Sequence, residues 1–205
     1  MDLKGKKVLF LGDSITAGTG ASSYDKSYVP MFAELSGAEV KNYGLGGTRI
    51  ARQINMSGNN SWDKDFVMRV DEMDSNADIV IVFGGTNDFG HGDAKIGDFD
   101  SRSEYTFYGA MRCLCESLIN KYPDADIVFM TPLHRETENA AIKENGLPNE
   151  IPLSGYVSII KEVAGYYGLP VIDLFNVSGI QPNVEIMKKI ICLTVCTRQI
   201  KVQSE

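Results

Sequence analysis

The sequence predicts an α/β domain: a doubly wound parallel sheet of about five strands between helices, a three-layer α/β/α sandwich. Two observations carry this. Short, continuously apolar, β-branched runs recur along the chain, bounded by Gly, Asn and Asp, as buried parallel strands require. Stretches with helical periodicity lie between them, and regular alternation of the two over 205 residues fits one domain with helices on both sheet faces.

The strands are expected at 8–11, 40–43, 79–83, 127–130 and 171–174. The helices are expected at 28–35, more weakly at 62–73, then at 104–121 and 153–167, with a helix-like stretch at 184–190. Pro30 fits the opening turn of the first helix, where its missing N–H costs least. The polar stretch 135–152 follows a strand end and reads as a mobile loop bordering the crevice at the strand carboxyl ends. A second long acidic loop is expected at 90–103.

With 43% hydrophobic and 23% charged residues the composition is that of a globular protein, not a disordered or fibrous one. No apolar run reaches the ~20 residues of a membrane span, and the N-terminal stretch lacks a secretory core and cleavage site. A net charge of −7 disfavours nucleic acid and anionic membranes as partners. Cys113, Cys115, Cys192 and Cys196 fit a reducing cytoplasm better than a disulfide framework. Zinc fits poorly, because the spacings are C-x-C and C-x-x-x-C and neither His91 nor His134 lies near them at finger spacing.

Three strand ends carry candidate chemistry. The first runs Gly12-Asp13-Ser14-Ile15-Thr16. Where strand becomes helix, Ser14 would expose its hydroxyl, with its own N–H near a helix N-terminus; the bland alternative is a simple helix cap. The second runs Asn42-Tyr43-Gly44-Leu45-Gly46-Gly47-Thr48, whose glycines let a backbone N–H approach a ligand or merely make a flexible turn. The third is Gly84-Gly85-Thr86-Asn87-Asp88, where the neutral Asn87 amide is either an oxyanion donor or part of an Asx turn.

Taken in order, G-D-S-I-T, N-Y-G-L-G-G-T and G-G-T-N-D resemble the SGNH or GDSL family of serine esterases, lipases and acylhydrolases, over a domain of residues 1–191. The resemblance implies a flavodoxin-like SGNH hydrolase fold and Ser14 as nucleophile, with Asp13 in support. It also implies an oxyanion hole of the Ser14 N–H, the Gly47 N–H and the Asn87 side chain. Small-molecule esters, of acyl lipids or acylated carbohydrates, are the implied substrates, with no cofactor and no metal.

The family's fourth motif, D-x-x-H near the C-terminus, is absent from its expected place. In it the His is the general base and the Asp orients it. His91 follows Asp88 at the right spacing, but on the segment that already supplies Asn87, and His134 reads first as a loop or structural residue. Where the motif belongs the chain reads Cys192-Leu193-Thr194-Val195-Cys196-Thr197-Arg198. Residues 193–198 can be back-translated CTG ACG GTC TGC ACC CGN, and one C inserted ahead yields Pro-Asp-Gly-Leu-His-Pro. We therefore expect 192–205 to be an atypical, frameshifted tail replacing the motif and the final helix. The expected consequences are impaired activity and an apolar face that invites homo-oligomers. The alternative is a non-catalytic, ligand-binding member of the fold.

Overall fold

The computed structural model describes residues 2–187. The strands are β1 (Lys7–Gly12), β2 (Glu39–Gly44), β3 (Ile79–Phe83), β4 (Asp126–Met130) and β5 (Val171–Ile172). The helices are α1 (Tyr28–Ser36), α2 (Phe66–Arg69), α3 (Thr86–His91), α4 (Phe107–Lys121), α5 (Leu153–Tyr166) and α6 (Leu174–Val177). All five strands are parallel in the order β2-β1-β3-β4-β5, the flavodoxin-like winding. The order reverses between β1 and β3, so the crevice of such a sheet opens where those two strands end.

Alternation along the strands sorts side chains to two faces. Leu9, Leu11, Val80, Val82 and Phe129 are buried with Met111, Leu114, Ile160 and Val163 of α4 and α5. Val8, Phe10 and Ile81 face the other way, against Val29 of α1. There Phe10 meets the Phe32 and Tyr28 rings edge-on, at 5.3 and 5.7 Å between centroids.

The expected strands are all present. The helical stretch expected at 62–73 shrinks to Phe66–Arg69, because the Asp65 side chain caps the Met68 N–H at 2.9 Å and starts the helix there. The strand expected to reach residue 174 stops at Ile172, and Asp173 then caps α6, which the pattern did not predict. His91 is not in a loop but is the last residue of α3. The segment at 135–152 is held by polar anchors. Lys143 Nζ is buried and donates to the carbonyls of Asp88 (2.9 Å) and Gly92 (2.7 Å), and Glu144 N–H bonds to the Gly90 carbonyl. These contacts press the loop onto α3, on the crevice side. The tail at 192–205, Cys192, Cys196 and most of the helix-like stretch at 184–190 lie outside the described residues.

Candidate active site

Parallel register brings the three motif segments out side by side, because Gly12 is level with Gly44 on one side and Phe83 on the other. Gly44 permits close approach of its neighbour: a Cβ there would stand 2.5 Å from the Thr16 carbonyl carbon and closer still to the Ala17 nitrogen. Asn42 bridges the same gap, with its amide donating to the Thr16 carbonyl at 2.7 Å.

Ser14 does not open a helix, contrary to expectation. Ala17 N–H bonds to the Asp13 carbonyl at 2.9 Å, but Gly18 and Gly20 then take positive φ and the chain continues as turns. The anion-holding field of a full helix N-terminus is therefore missing. Asp13 is buried and accepts the Ile15 N–H at 2.9 Å. Burial pushes its carboxyl up to about 7, and the neighbouring Asp88 charge pushes the same way.

The turn after β2 lies over Ser14, with a Cβ on Gly46 reaching within 3.8 Å of the Ser14 Cβ. Gly47 has φ +77°, where a side chain is strained, and a Cβ there would meet the Trp62 indole at 2.5 Å. Among the described residues the N–H groups of Ser14 and Gly47 donate no hydrogen bond to the protein. Asn87, on the first turn of α3, donates its side-chain amide to the Thr48 carbonyl at 2.9 Å, which leaves its second amide hydrogen unused. Thus Ser14, Gly47 and Asn87 belong to one connected group of turns at the β1–β3 switch point.

Two residues hold this group together: Arg69, which sequence reasoning passed over, and Asp88, which it read only as part of the third motif and of the Asp88–His91 spacing. Arg69 is buried and donates to the Gly12 carbonyl (3.1 Å), to Thr48 Oγ1 (3.0 Å) and to the Tyr43 carbonyl, so one guanidinium ties three motif segments. Burial lowers its pKa to about 10. Asp88 is buried and accepts the N–H groups of Ile50 (3.0 Å) and Ala51 (2.9 Å), anchoring the glycine turn to α3. A lone Arg in the apolar run Phe66-Val67-Met68-Arg69-Val70 was the available signal for the first.

Neither histidine stands beside Ser14 as a base. Arg49 Nη1 donates to His91 Nδ1 at 2.8 Å, which fixes the ring proton on Nε2. Burial, and next the Arg49 charge, hold the His91 pKa down to about 4. His134 follows β4, its Nδ1 lies 2.6 Å from Glu138 Oε2, and its ring packs 3.8 Å from that of Phe175, centroid to centroid. Among the described residues no histidine hydrogen-bonds to the Ser14 hydroxyl. Among the described residues there is also no group of three or more His, Cys, Asp or Glu that could hold a metal ion, and no helix long and apolar enough to cross a membrane.

The fold and the three motifs define a flavodoxin-like parallel α/β domain with a candidate site at the strand carboxyl ends. The family model of the GDSL-like lipase/acylhydrolase family matches residues 10–185, and the chain belongs to that family. One solved structure is similar at 31% identity, covering 92% of this chain and 86% of its own, with a TM-score of 0.78. A protein from Lactobacillus plantarum is similar at 25% identity, with 91% and 85% covered and a TM-score of 0.77. A structure from Chitinophaga pinensis described as a possible lipase shares 24% identity over 83% and 68% of the two chains, with a TM-score of 0.63. No curated protein matches the sequence.

Proposed function

We propose that this fold binds small carboxylic esters and is built for hydrolysis through a Ser14 acyl-enzyme, with turnover by this chain impaired for want of a general base. In this reading the Ser14 and Gly47 N–H groups and the Asn87 amide receive the carbonyl oxygen. The observation that supports it is the pair of unused backbone N–H groups of Ser14 and Gly47 on adjoining turns, with the Asn87 amide tethered to the turn that carries Gly47. Asp13 supports the turn from beneath. The protein is expected to work in the cytoplasm without cofactor or metal.

Impairment is inferred from the histidines. Of the two in the sequence, His91 has its Nδ1 taken by Arg49, and His134, though its Nδ1 is paired with Glu138, makes no hydrogen bond to Ser14. Without a base Ser14 keeps its proton at neutral pH and attacks slowly. In a serine protease, losing the base costs about 10⁶ in turnover, while the oxyanion donors still leave ~10³ to 10⁴ over water. The same observation favours a second reading, a ligand-binding member of the family that performs no chemistry.

Hydrolysis of p-nitrophenyl acetate, with Ser14→Ala as control, tests both. A slow rate that Ser14→Ala abolishes supports the impaired enzyme, and a rate indifferent to Ser14 supports the binding module. Replacing residues 193–198 with Pro-Asp-Gly-Leu-His-Pro and restoring the downstream frame should raise the Ser14-dependent rate by several orders of magnitude, on the order of the serine-protease loss.

A further inference from the structure

The sequence contains one tryptophan, Trp62, and it lies directly against the backbone of Gly47, where a Cβ would come within 2.5 Å of its Cδ1 and Nε1. The ring is tilted over the His91 imidazole, with centroids 5.4 Å apart, and Arg49 Nη2 donates to its backbone carbonyl at 3.1 Å. Asp63 clamps the loop beneath it, accepting the Ser57 N–H at 3.0 Å and Arg49 Nη2 at 3.2 Å. Yet Trp62 remains 39% exposed. A large apolar ring is thus held in place, and left open to solvent, beside a candidate oxyanion donor.

The segment that leads into it is uncharged and mostly polar. Residues 55–62 read Asn-Met-Ser-Gly-Asn-Asn-Ser-Trp, without a charge. Asn59, Asn60 and Ser61 are exposed, and the Asn60 side chain makes no hydrogen bond among the described residues. Amide and hydroxyl groups both donate and accept, so they match hydroxyls and ester oxygens of either polarity.

We propose that Trp62 is the specificity-determining residue of this site and that it receives the ring of an acylated sugar. The apolar C–H face of a pyranose stacks on the indole, and its polar rim meets the amides and hydroxyls of the loop. A phosphorylated lipid headgroup would need a free cation, but each cation near Trp62 is engaged by a carboxylate: buried Arg49 by Asp63, Arg52 by Asp65 and Glu104, and Lys64 by Glu72. A long acyl chain would need an apolar trough. Ile54 and Met56 are exposed on the same loop, but the polar Asn55 and Ser57 flank Met56, and neither of two cavities of about 110 and 140 Å³ is lined by Ser14, Gly47 or Trp62. This inference rests on reading Gly47 and Asn87 as oxyanion donors.

Because Trp62 is the one tryptophan, emission of the intact chain reports ligand binding at this position without requiring turnover. Titration with methyl tetra-O-acetyl-β-glucoside should give a saturable change, with an apparent Kd about tenfold or more below that for ethyl octanoate. Asn60→Ala keeps the fluorophore and should weaken the glucoside by about threefold to tenfold while leaving the octanoate unchanged. Trp62→Ala should abolish the glucoside-induced rise in Tm. Equal or tighter binding of the octanoate, or no emission response to the glucoside, overturns the proposal. Ser14-dependent hydrolysis of p-nitrophenyl acetate in the absence of a glucoside response would defeat this inference alone. Loss of both would defeat the reading of the site as well.

Discussion

The Asn87 side-chain amide donates to the Thr48 carbonyl across 2.9 Å, which joins the first turn of α3 to the turn that carries Gly47. One amide thereby positions a backbone turn and keeps a hydrogen directed elsewhere. Asn87→Ala should cost about 1 kcal/mol in denaturant unfolding for the lost bond. It should also lower the Ser14-dependent rate on p-nitrophenyl acetate about 10²-fold, the scale of one lost oxyanion donor. A full rate in a variant destabilised as expected would remove Asn87 from the proposed oxyanion site.

Arg69→Met should be among the most damaging single changes in the domain. It strips hydrogen bonds from the Gly12 and Tyr43 carbonyls and Thr48 Oγ1 at a buried position, at a cost of about 3 kcal/mol or more. Urea unfolding measures this, and a loss under about 0.5 kcal/mol would show that Arg69 does not hold the three segments together.

Much of this architecture was legible in the sequence, and its limits have physical causes. The apolar runs located the central strands β1, β3 and β4 because a buried parallel strand is apolar at nearly every position, whereas the edge strands β2 and β5 are partly exposed and carried a weaker signal. The three motifs marked segments that parallel register then set side by side. Helix α3 was missed because Thr-Asn-Asp-Phe-Gly-His has no amphipathic period and contains a glycine; backbone bonds and the packing of Phe89 hold it. The roles of Arg69 and Trp62 rest on contacts distant in sequence, such as Arg69 with Gly12, that periodicity does not encode.

Asp13 should make stability pH-dependent. Its folded pKa, near 7, lies above the usual 3.8, so the folded chain binds the proton more tightly than the unfolded chain. Its contribution is fully present below about pH 4 and is lost as pH rises through about 7. Asn at this position can still accept the Ile15 N–H and carries no charge. The Tm difference, Asp13→Asn minus wild type, should therefore grow from pH 4 to pH 8. A flat or falling difference would contradict burial as the dominant influence on this carboxyl.

Gly47→Ala meets two obstacles, a positive φ and the Trp62 ring. The backbone part costs about 1 kcal/mol, and displacement of the indole should add to it and shift tryptophan emission to the red. In a double-mutant cycle with Trp62→Ala the steric part should disappear and the backbone part persist. Strict additivity would mean that the ring does not press on Gly47.

The hairpin at the tip of the 135–152 segment makes a graft point. Ile142 and Pro148 pair across its base, Gly146 has positive φ with open space around it, and Leu147 is exposed. A reporter domain spliced between Gly146 and Leu147 would leave from a gap whose two sides are already paired, so its ends would not pull the domain apart. The graft would also sit three residues from the Lys143 ammonium, which is pegged to the carbonyls of Asp88 and Gly92 on either side of the end of α3. Strain at the tip would reach the helix that presents Asn87, turning an insertion tag into a transducer of what occupies the crevice.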